Sequence, residues 1–501
     1  MVMYLWSEKL FEFWIRPVLR IFIFLWGFCC VAVCAEAQAD GTRLQFNNVT
    51  VAQVMDSLTS RYQYHFAYDV NAVNFDSLVS VSIPVEKISF WIDSFFSDLG
   101  AYVSVSQKQV IIGKRPAVFN SEEVIRVSGK VLALGENKPL EMVNIGVEGA
   151  PIGTVSNTQG LFQLLLPVQL AGREMVFSSL GFNSWRITVP RSDTTLVVTL
   201  TGSSIQLPEV RVLYRNPRGI MEKVVANLKT NYPGNNFLMT AFFRETIKQD
   251  NRYVDVSEAV LEIFKPSYQR DVSEQVRFVH GRKGVATGSR DLVHFKLVGG
   301  PYLFSQLDVV RNRNFLPDNN SLYKYTFNGV DNIFDRCVYR IGFKPVNSSG
   351  DLMYTGEFLI DPKSFAVVSA HFELTPASVR KSRNYLIKRD ARRFKTRPFY
   401  ARYRVSYRPL NGQWVLSGVK GEVSMKVVDR SRRERSVFST VSEMVVSDMM
   451  VWNGGRPFKN AETVGASDVL AEQLGDFDAS FWKNYNIILP DDDLRNVFQK
   501  P

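Results

Sequence analysis

The chain has 501 residues, 46% hydrophobic and 22% charged, which excludes a disordered polymer and suffices for roughly three domains with cores of their own. Its net charge is +11, and residues 213–501 hold 44 Lys and Arg against 31 Asp and Glu, so the basic character belongs to the C-terminal region alone. Four histidines (His65, His280, His294, His371) without i, i+4 or paired spacing, and no glycine-rich phosphate loop, leave no sequence basis for a metal site, a triad or a cofactor.

In chain order, Lys9, Arg16 and Arg20 precede a 15-residue apolar run from Ile21 to Ala35, followed by the small-residue pattern Ala35-Glu-Ala37-Gln-Ala39. This reads as a signal peptide over residues 1–39, because a membrane-spanning helix needs about 18 or more apolar residues. Cleavage at Gln38 or Asp40 is expected. Phe28 and Val33 precede Cys29 and Cys34, which disfavours lipidation. The exported chain would keep only Cys337, so it forms no internal disulfide. The alternation of Cys337 with Tyr339, Ile341 and Phe343 predicts a buried, inert thiol.

Residues 40–115 switch twice between period 2 and period 3.6. Val51, Val54, Met55, Leu58 and Tyr62 share a helical face behind the N-cap candidate Thr50. Tyr64, Phe66 and Tyr68 alternate as a strand, as do Val79, Val81 and Ile83. Val85, Ile88, Ile92, Phe95 and Leu99 make a second helix that stops at Gly100, and residues 102–112 close as a hairpin. The predicted order is β-α-β-β-α-β-β. Phe46, Val54 to Leu58, Phe66-Ala-Tyr68 and Val110-Ile-Ile112 give this segment a pattern that resembles the short N-terminal domain of secretins and TonB-dependent transducers. That resemblance implies contact with an envelope protein partner.

Residues 121–212 read as short strands with frequent turns, a small β-sandwich. The stretch GTVSNTQGLFQLLLP, Gly153 to Pro167, reads as a hairpin whose polar Ser156, Asn157, Thr158 and Gln159 are scaffold rather than catalyst. Gly153 and Gly160 are expected where the backbone needs a conformation that other residues resist. Gly129, Val131, Pro139-Leu140, Val143 to Val147, Gly153-Thr154, Gly160 with Phe162, Phe177-Ser178, Leu180-Gly-Phe182 and Leu207-Pro-Glu-Val210 together resemble the carboxypeptidase regulatory-like domain of Bacteroidetes envelope proteins, a transthyretin-like sandwich. That domain is an accessory, and the resemblance implies no peptidase.

Residues 213–501 open with a helix that has Pro217 in its first turn and Ile220, Met221, Val224, Val225 and Leu228 on one face, ending at Tyr232-Pro233. Long alternating strands follow, with a turn at Asn411-Gly412. They predict a large curved antiparallel sheet with one face solvated. Asn231-Tyr-Pro233, Phe243-Arg-Glu245, Ser257-Glu-Ala259 and Tyr354 to Asp361 resemble an uncharacterised Bacteroidetes envelope family built as regulatory-like domain, helix and sheet. The hairpin from Gly356 to Asp361 is also similar to the half-barrel of periplasmic lipoprotein carriers. The fold class is therefore multidomain α+β and all-β.

Arg244, Glu245 and Glu258 are the best polar constellation, read as a structural ion cluster with acid–base catalysis as the rival. The acidic run Asp491 to Asp493 is expected to cap a last helix. Residues 380–397 contain nine cations against one Asp: Arg380, Lys381, Arg383, Lys388, Arg389, Arg392, Arg393, Lys395 and Arg397, interleaved with Tyr385, Leu386, Ile387 and Phe394. In an exported chain such a run meets anionic lipid or lipopolysaccharide before any nucleic acid. The expectation is a non-enzymatic protein of the periplasm or outer membrane that binds a protein or anionic lipid or glycan partner. The alternatives are a periplasmic lipid or lipoprotein carrier, which needs an apolar concavity, and an envelope hydrolase using Glu245 or Glu258.

Overall fold

The computed structural model describes residues 43–68, 72–99, 101–106, 108–114, 124–203, 216–285, 296–297, 300–318, 322–347, 352–389, 394–466, 468–474 and 485–499. The signal-peptide segment, Leu207 to Val210, His294, Arg392 and Arg393 lie outside them. The chain divides into two compact units, Met1–Arg115 and Pro116–Pro501.

The first unit has the predicted order: β1 (Arg43–Thr50), α1 (Val51–Tyr62), β2 (His65–Tyr68), β3 (Leu78–Pro84), α2 (Ile88–Asp98), β4 (Ala101–Ser106) and β5 (Gln109–Lys114). Thr50 starts α1 through a capping box with Gln53, and each side chain satisfies a backbone N–H that the helix leaves free. β1 pairs with β3, and β5 joins β2 in parallel to β4 in antiparallel. Val51, Val54 and Leu58 of α1 meet Ile88, Ile92 and Phe96 of α2 in the core, with Phe95 only half-buried.

The second unit begins with a sandwich of β6 (Val124–Ala133), β7 (Asn144–Val147), β8 (Gly153–Val155), β9 (Leu161–Pro167), β10 (Glu174–Ser178), β11 (Trp185–Thr188) and β12 (Thr194–Leu200). One sheet runs β11-β10-β7-β8 and the other β12-β6-β9. The GTVSNTQGLFQLLLP stretch is therefore not a hairpin. Its two strands belong to different sheets, and the turn between them carries the chain across the core. Gly160 has φ +74°, and a Cβ there would lie 2.4 Å from the Val131 carbonyl oxygen, so the crossing requires glycine as expected.

α3 (Pro217–Ala226), capped by the Asn216 side chain, and α4 (Leu228–Asn231) lead into the large sheet. Its strands are β13 (Asn236–Gln249), β14 (Arg252–Lys265), β15 (Gln275–Val285), β17 (Tyr323–Ile333), β18 (Arg336–Pro345), β19 (Tyr354–Ile360), β20 (Val367–Leu374), β22 (Phe394–Leu410), β23 (Gln413–Asp429) and β24 (Glu434–Trp452). They form one open antiparallel sheet of ten strands in the order β15-β14-β13-β24-β23-β22-β20-β19-β18-β17. The short β16 (Lys296–Leu297) and β21 (Ile387–Arg389) pair separately. Further helices are α5 (Gly300–Gln306), α6 (Pro376–Lys381), α7 (Arg383–Leu386), α8 (Leu470–Gln473) and α9 (Asp492–Gln499).

The expectation of one solvated face fails at the centre of this sheet. Met239, Ala241 and Phe243 of β13 face a core that includes Ile220, Met221 and Val224 of α3, whereas their alternating neighbour Phe242 packs with Val155 of the sandwich and Ile487 and Ile488 near the C-terminus. β13 and β14 are accordingly near-continuous buried runs, as strands covered on both faces must be. A helix-covered face and a sandwich-covered face result.

The sandwich crossing is part of that cover. Asn157 donates to the Leu489 carbonyl (3.0 Å), Thr158 to Asp491 (3.2 Å) and Gln159 to Asp492 (3.1 Å), while Asn486 exchanges two hydrogen bonds with the backbone of Leu165. Asp491 accepts from the Leu494 N–H at 2.8 Å and so caps α9, as its sequence position implies.

Candidate functional site

β13–β14 pairing sets Arg244 opposite Glu258 on the sandwich-covered face. Arg244 Nε donates to Glu258 Oε1 at 2.6 Å, Arg282 Nε from β15 to Oε2 at 2.5 Å, and Arg244 Nη2 to the Ile488 carbonyl at 2.5 Å. The Glu258 side chain is fully buried. Glu245 is not part of this cluster, because the strand alternation turns it to the helix-covered face, where Ser442 donates to it at 3.3 Å. A carboxylate with each oxygen held by a guanidinium and no solvent contact has no geometry for taking a substrate proton.

A second buried network was not legible in the sequence. Lys265 Nζ lies 2.9 Å from Asp308 Oδ2 and also contacts Glu274, while Tyr268 and Tyr407 donate to Asp308 at 2.6 and 2.7 Å. Burial opposes ionisation of Asp308, but Lys265 and the two tyrosines outweigh it and hold its carboxyl below the usual range. Cys337, expected to be buried, is a half-buried free thiol, with its pKa pushed up by burial.

The basic segment is divided by the fold. Lys395 and Arg397 project from β22 on the sandwich-covered side of the sheet, at the end remote from the Asn411-Gly412 turn, opposite the alternating Phe394 and Thr396, which are buried. Arg397 sits directly across from Lys426 of β23, and Val428 is flanked by Lys395 and Arg435 of β24. Two shallow grooves of about 470 and 500 Å³ meet here, both lined by Arg397 and Lys426. Arg380 of α6 lines one of them, and Lys395 and Arg435 line the other. Phe399, 46% exposed, and Val437, 40% exposed, stand among the cations. Lys381 is exposed on α6, Arg383 donates to Thr396 at 3.0 Å, and Lys388 and Arg389 belong to β21. Lys426 and Arg435 join the group only through strand pairing.

The same face of β22 continues as a row: Arg402, Arg404 and Arg408 follow Lys395 and Arg397 once a bulge between Pro398 and Tyr400 shifts the phase. The period-two spacing of Arg402, Arg404 and, past a second bulge, Arg408 was a readable signal that the longer run at 380–397 overshadows. The middle of the row is compensated. Arg402 pairs with Glu422 at 2.8 Å, and neighbouring Lys420 contacts Glu141 and lies 3.4 Å from Glu443. Next to it, burial above all, and then Arg404, Arg340 and Arg402, push His371 down to about 3.

At the other end of the row Arg408 enters a pocket of about 410 Å³ at the seam between sandwich and sheet. Its walls include Ile145, Val147, Val155, Phe334, Trp414, Val445 and Val446, with Arg186 and Arg336 also in the lining. Gly146 and Gly153, paired across β7 and β8, form a bare backbone platform under the Arg408 guanidinium. A Cβ on Gly153 would lie 2.5 Å from Arg408 Nη1, and Gly153 does not have positive φ. Close approach, not backbone strain, is why this position is glycine, which corrects the sequence expectation.

Comparison with known proteins adds one domain assignment. Residues 127–212 match the CarboxypepD_reg-like domain. No curated protein matches the chain. Similar solved structures include a domain assigned to outer membrane lipoprotein sorting from Vibrio parahaemolyticus, at 10% identity, covering 48% of this chain and 95% of that one with a TM-score of 0.23. A LolA superfamily protein from Nitrosomonas europaea aligns at 14% identity over 49% of this chain and 98% of its own, with a TM-score of 0.22. A DUF1329 family protein from Desulfovibrio piger gives 11%, 48%, 94% and 0.22. At such scores the alignments carry no argument about fold or function.

Proposed function

We propose that this is a non-enzymatic cell-envelope protein, exported to the periplasm or outer membrane, that docks on anionic lipid or lipopolysaccharide through the basic end of its large sheet. The observation that carries the reading is the juxtaposition of Arg397 and Lys426. Like charges directly opposite in a sheet are destabilising, and among the described residues neither has a carboxylate in ion-pair contact. An external anion would relieve that repulsion, and exposed Phe399 and Val437 would enter the interface beside it. The export-type N-terminus and the accessory CarboxypepD_reg-like domain are compatible with this location. The first unit, from its likeness to transducer domains, is the proposed site for an envelope protein partner.

The test is co-sedimentation of the full chain with phosphatidylglycerol-containing vesicles across a salt series. Changing Lys395, Arg397, Lys426 and Arg435 together to Ser removes about 4 kcal/mol if each contributes about 1 kcal/mol near the surface. Binding of the wild-type chain should fall with salt and that of the variant should be lost at all salts. Salt-insensitive binding, or an unaffected variant, would refute the docking reading. A second reading, a lipid or lipoprotein carrier, is favoured by the apolar pocket at the seam, while the helix-covered face is filled by α3, α4 and residues 300–316 of the chain itself.

A further inference from the structure

The seam pocket combines two features that packing between domains does not call for. First, it holds buried donors without acceptors. Arg408 Nη2 donates to the Pro151 carbonyl, but Arg408 Nε is buried with no hydrogen-bond partner, and Ser417 Oγ in the same lining is likewise buried and unpartnered. An orphaned buried donor costs about 1–3 kcal/mol, and more when charged, so two at one cavity are expected where something binds.

Second, the charge at the pocket is uncompensated at one place only. Arg186 lies within 3.4 Å of Glu148, Glu174 and Asp335, and Arg336 lies 3.7 Å from Asp361 and over the Trp414 ring. Arg408 has no carboxylate in ion-pair contact among the described residues, only the more distant field of Asp448. Burial pushes its guanidinium down to about 10, which leaves it cationic at neutral pH. One positive charge above an apolar chamber of about 410 Å³ matches one negative charge on an apolar body, and the chamber is within the size range of small-molecule sites, about 300–1,000 Å³.

We propose that the seam pocket is a binding site for an alkyl-chain monoanion, its carboxylate received by Arg408 and Ser417 and its chain by Val155, Trp414, Val445 and Val446. The site deepens the carrier reading by naming a cargo class and its recognition residues. It is separate from the docking surface at the far end of β22, so either can fail alone. Gly146 and Gly153 then have a functional reason: they let the Nη1 end of the guanidinium approach the sandwich backbone, so the anion is held between sandwich and sheet.

The experiment titrates the full chain with 11-(dansylamino)undecanoate, below its micellar range, against the uncharged 11-(dansylamino)undecanol. Saturable one-site binding of the acid, at least tenfold tighter than the alcohol, is expected. Ser417→Ala should weaken acid binding about tenfold without lowering thermal stability, because it deletes an unsatisfied group. Arg408→Gln should weaken it further and remove the preference over the alcohol. The fourfold Ser variant of Lys395, Arg397, Lys426 and Arg435 should bind the acid as the wild type does. Equal binding of acid and alcohol, no saturable binding, an unchanged Ser417→Ala affinity, or loss of acid binding in the fourfold variant would each overturn the proposal. The last outcome would place the probe on the docking surface instead.

Discussion

Glu258→Gln tests the reading of the Arg244 cluster as structural. In the folded chain Glu258 is fully buried between Arg244 and Arg282, whose side chains are 5% and 11% exposed. Gln retains one acceptor oxygen, but its amide group presents N–H donors to the second guanidinium. Two largely buried cations then face each other without their counter-ion. Breaking a buried pair by removing one partner costs about 3–5 kcal/mol. The Ile488 and Leu489 carbonyls, which also accept from Arg244, offset part of that loss, so about 3–4 kcal/mol is expected. Urea unfolding of the full chain reads this as a lower midpoint at unchanged slope in the transition of the second unit. Glu245→Gln, which keeps an acceptor oxygen for the 3.3 Å hydrogen bond from Ser442, should cost less than Glu258→Gln by the same assay. Replacing Arg244 by Met together with Glu258 by Leu should cost less than the sum of the single changes, since only Arg282, and no longer both guanidinium groups, then loses the Glu258 carboxylate. A Glu258→Gln chain as stable as the wild type would refute the structural reading, and loss of a measurable hydrolytic turnover in that stable variant would establish the hydrolase.

Two further outcomes follow from buried ionisable groups. Lys265→Met leaves Glu274 and Asp308 facing each other without their ammonium and should destabilise the second unit by about 3–5 kcal/mol, whereas a shift under 1 kcal/mol by the same urea assay would mean that Arg311 and the tyrosines suffice. His371, held at about 3 when folded against about 6.5 when unfolded, is neutral in the folded chain. Between those values only the unfolded chain binds the proton, so the stability present above pH 6.5 is lost progressively as pH falls towards 3, at up to about 1.4 kcal/mol per pH unit. His371→Gln should flatten that part of the stability profile, and an unchanged profile would show that His371 does not govern acid sensitivity.

The sequence by itself determines most of the elements and where they start and turn. Thr50 caps α1, Asn216 and Pro217 start α3, Asn411-Gly412 turns β22 into β23, and the regulatory-like sandwich is legible from glycine and apolar spacing. Each of these rests on residues a few positions apart, where backbone sterics and side-chain periodicity act locally. Only the tertiary structure decides which residues of distant strands become neighbours. Period-two alternation says that Arg244 and Glu245 point to opposite faces, but register alone brings Arg244 to Glu258 and Arg282. The run at 380–397 announces a basic surface, yet its partners Lys426 and Arg435 come from two other strands, and part of the run is turned elsewhere by α6 and β21. The seam pocket is the clearest case. Gly153 reads as a turn residue until Arg408, 255 positions along the chain, is found lying on it. Burial of an uncompensated guanidinium depends on long-range packing of the sandwich against the sheet, and no local pattern of residues encodes it.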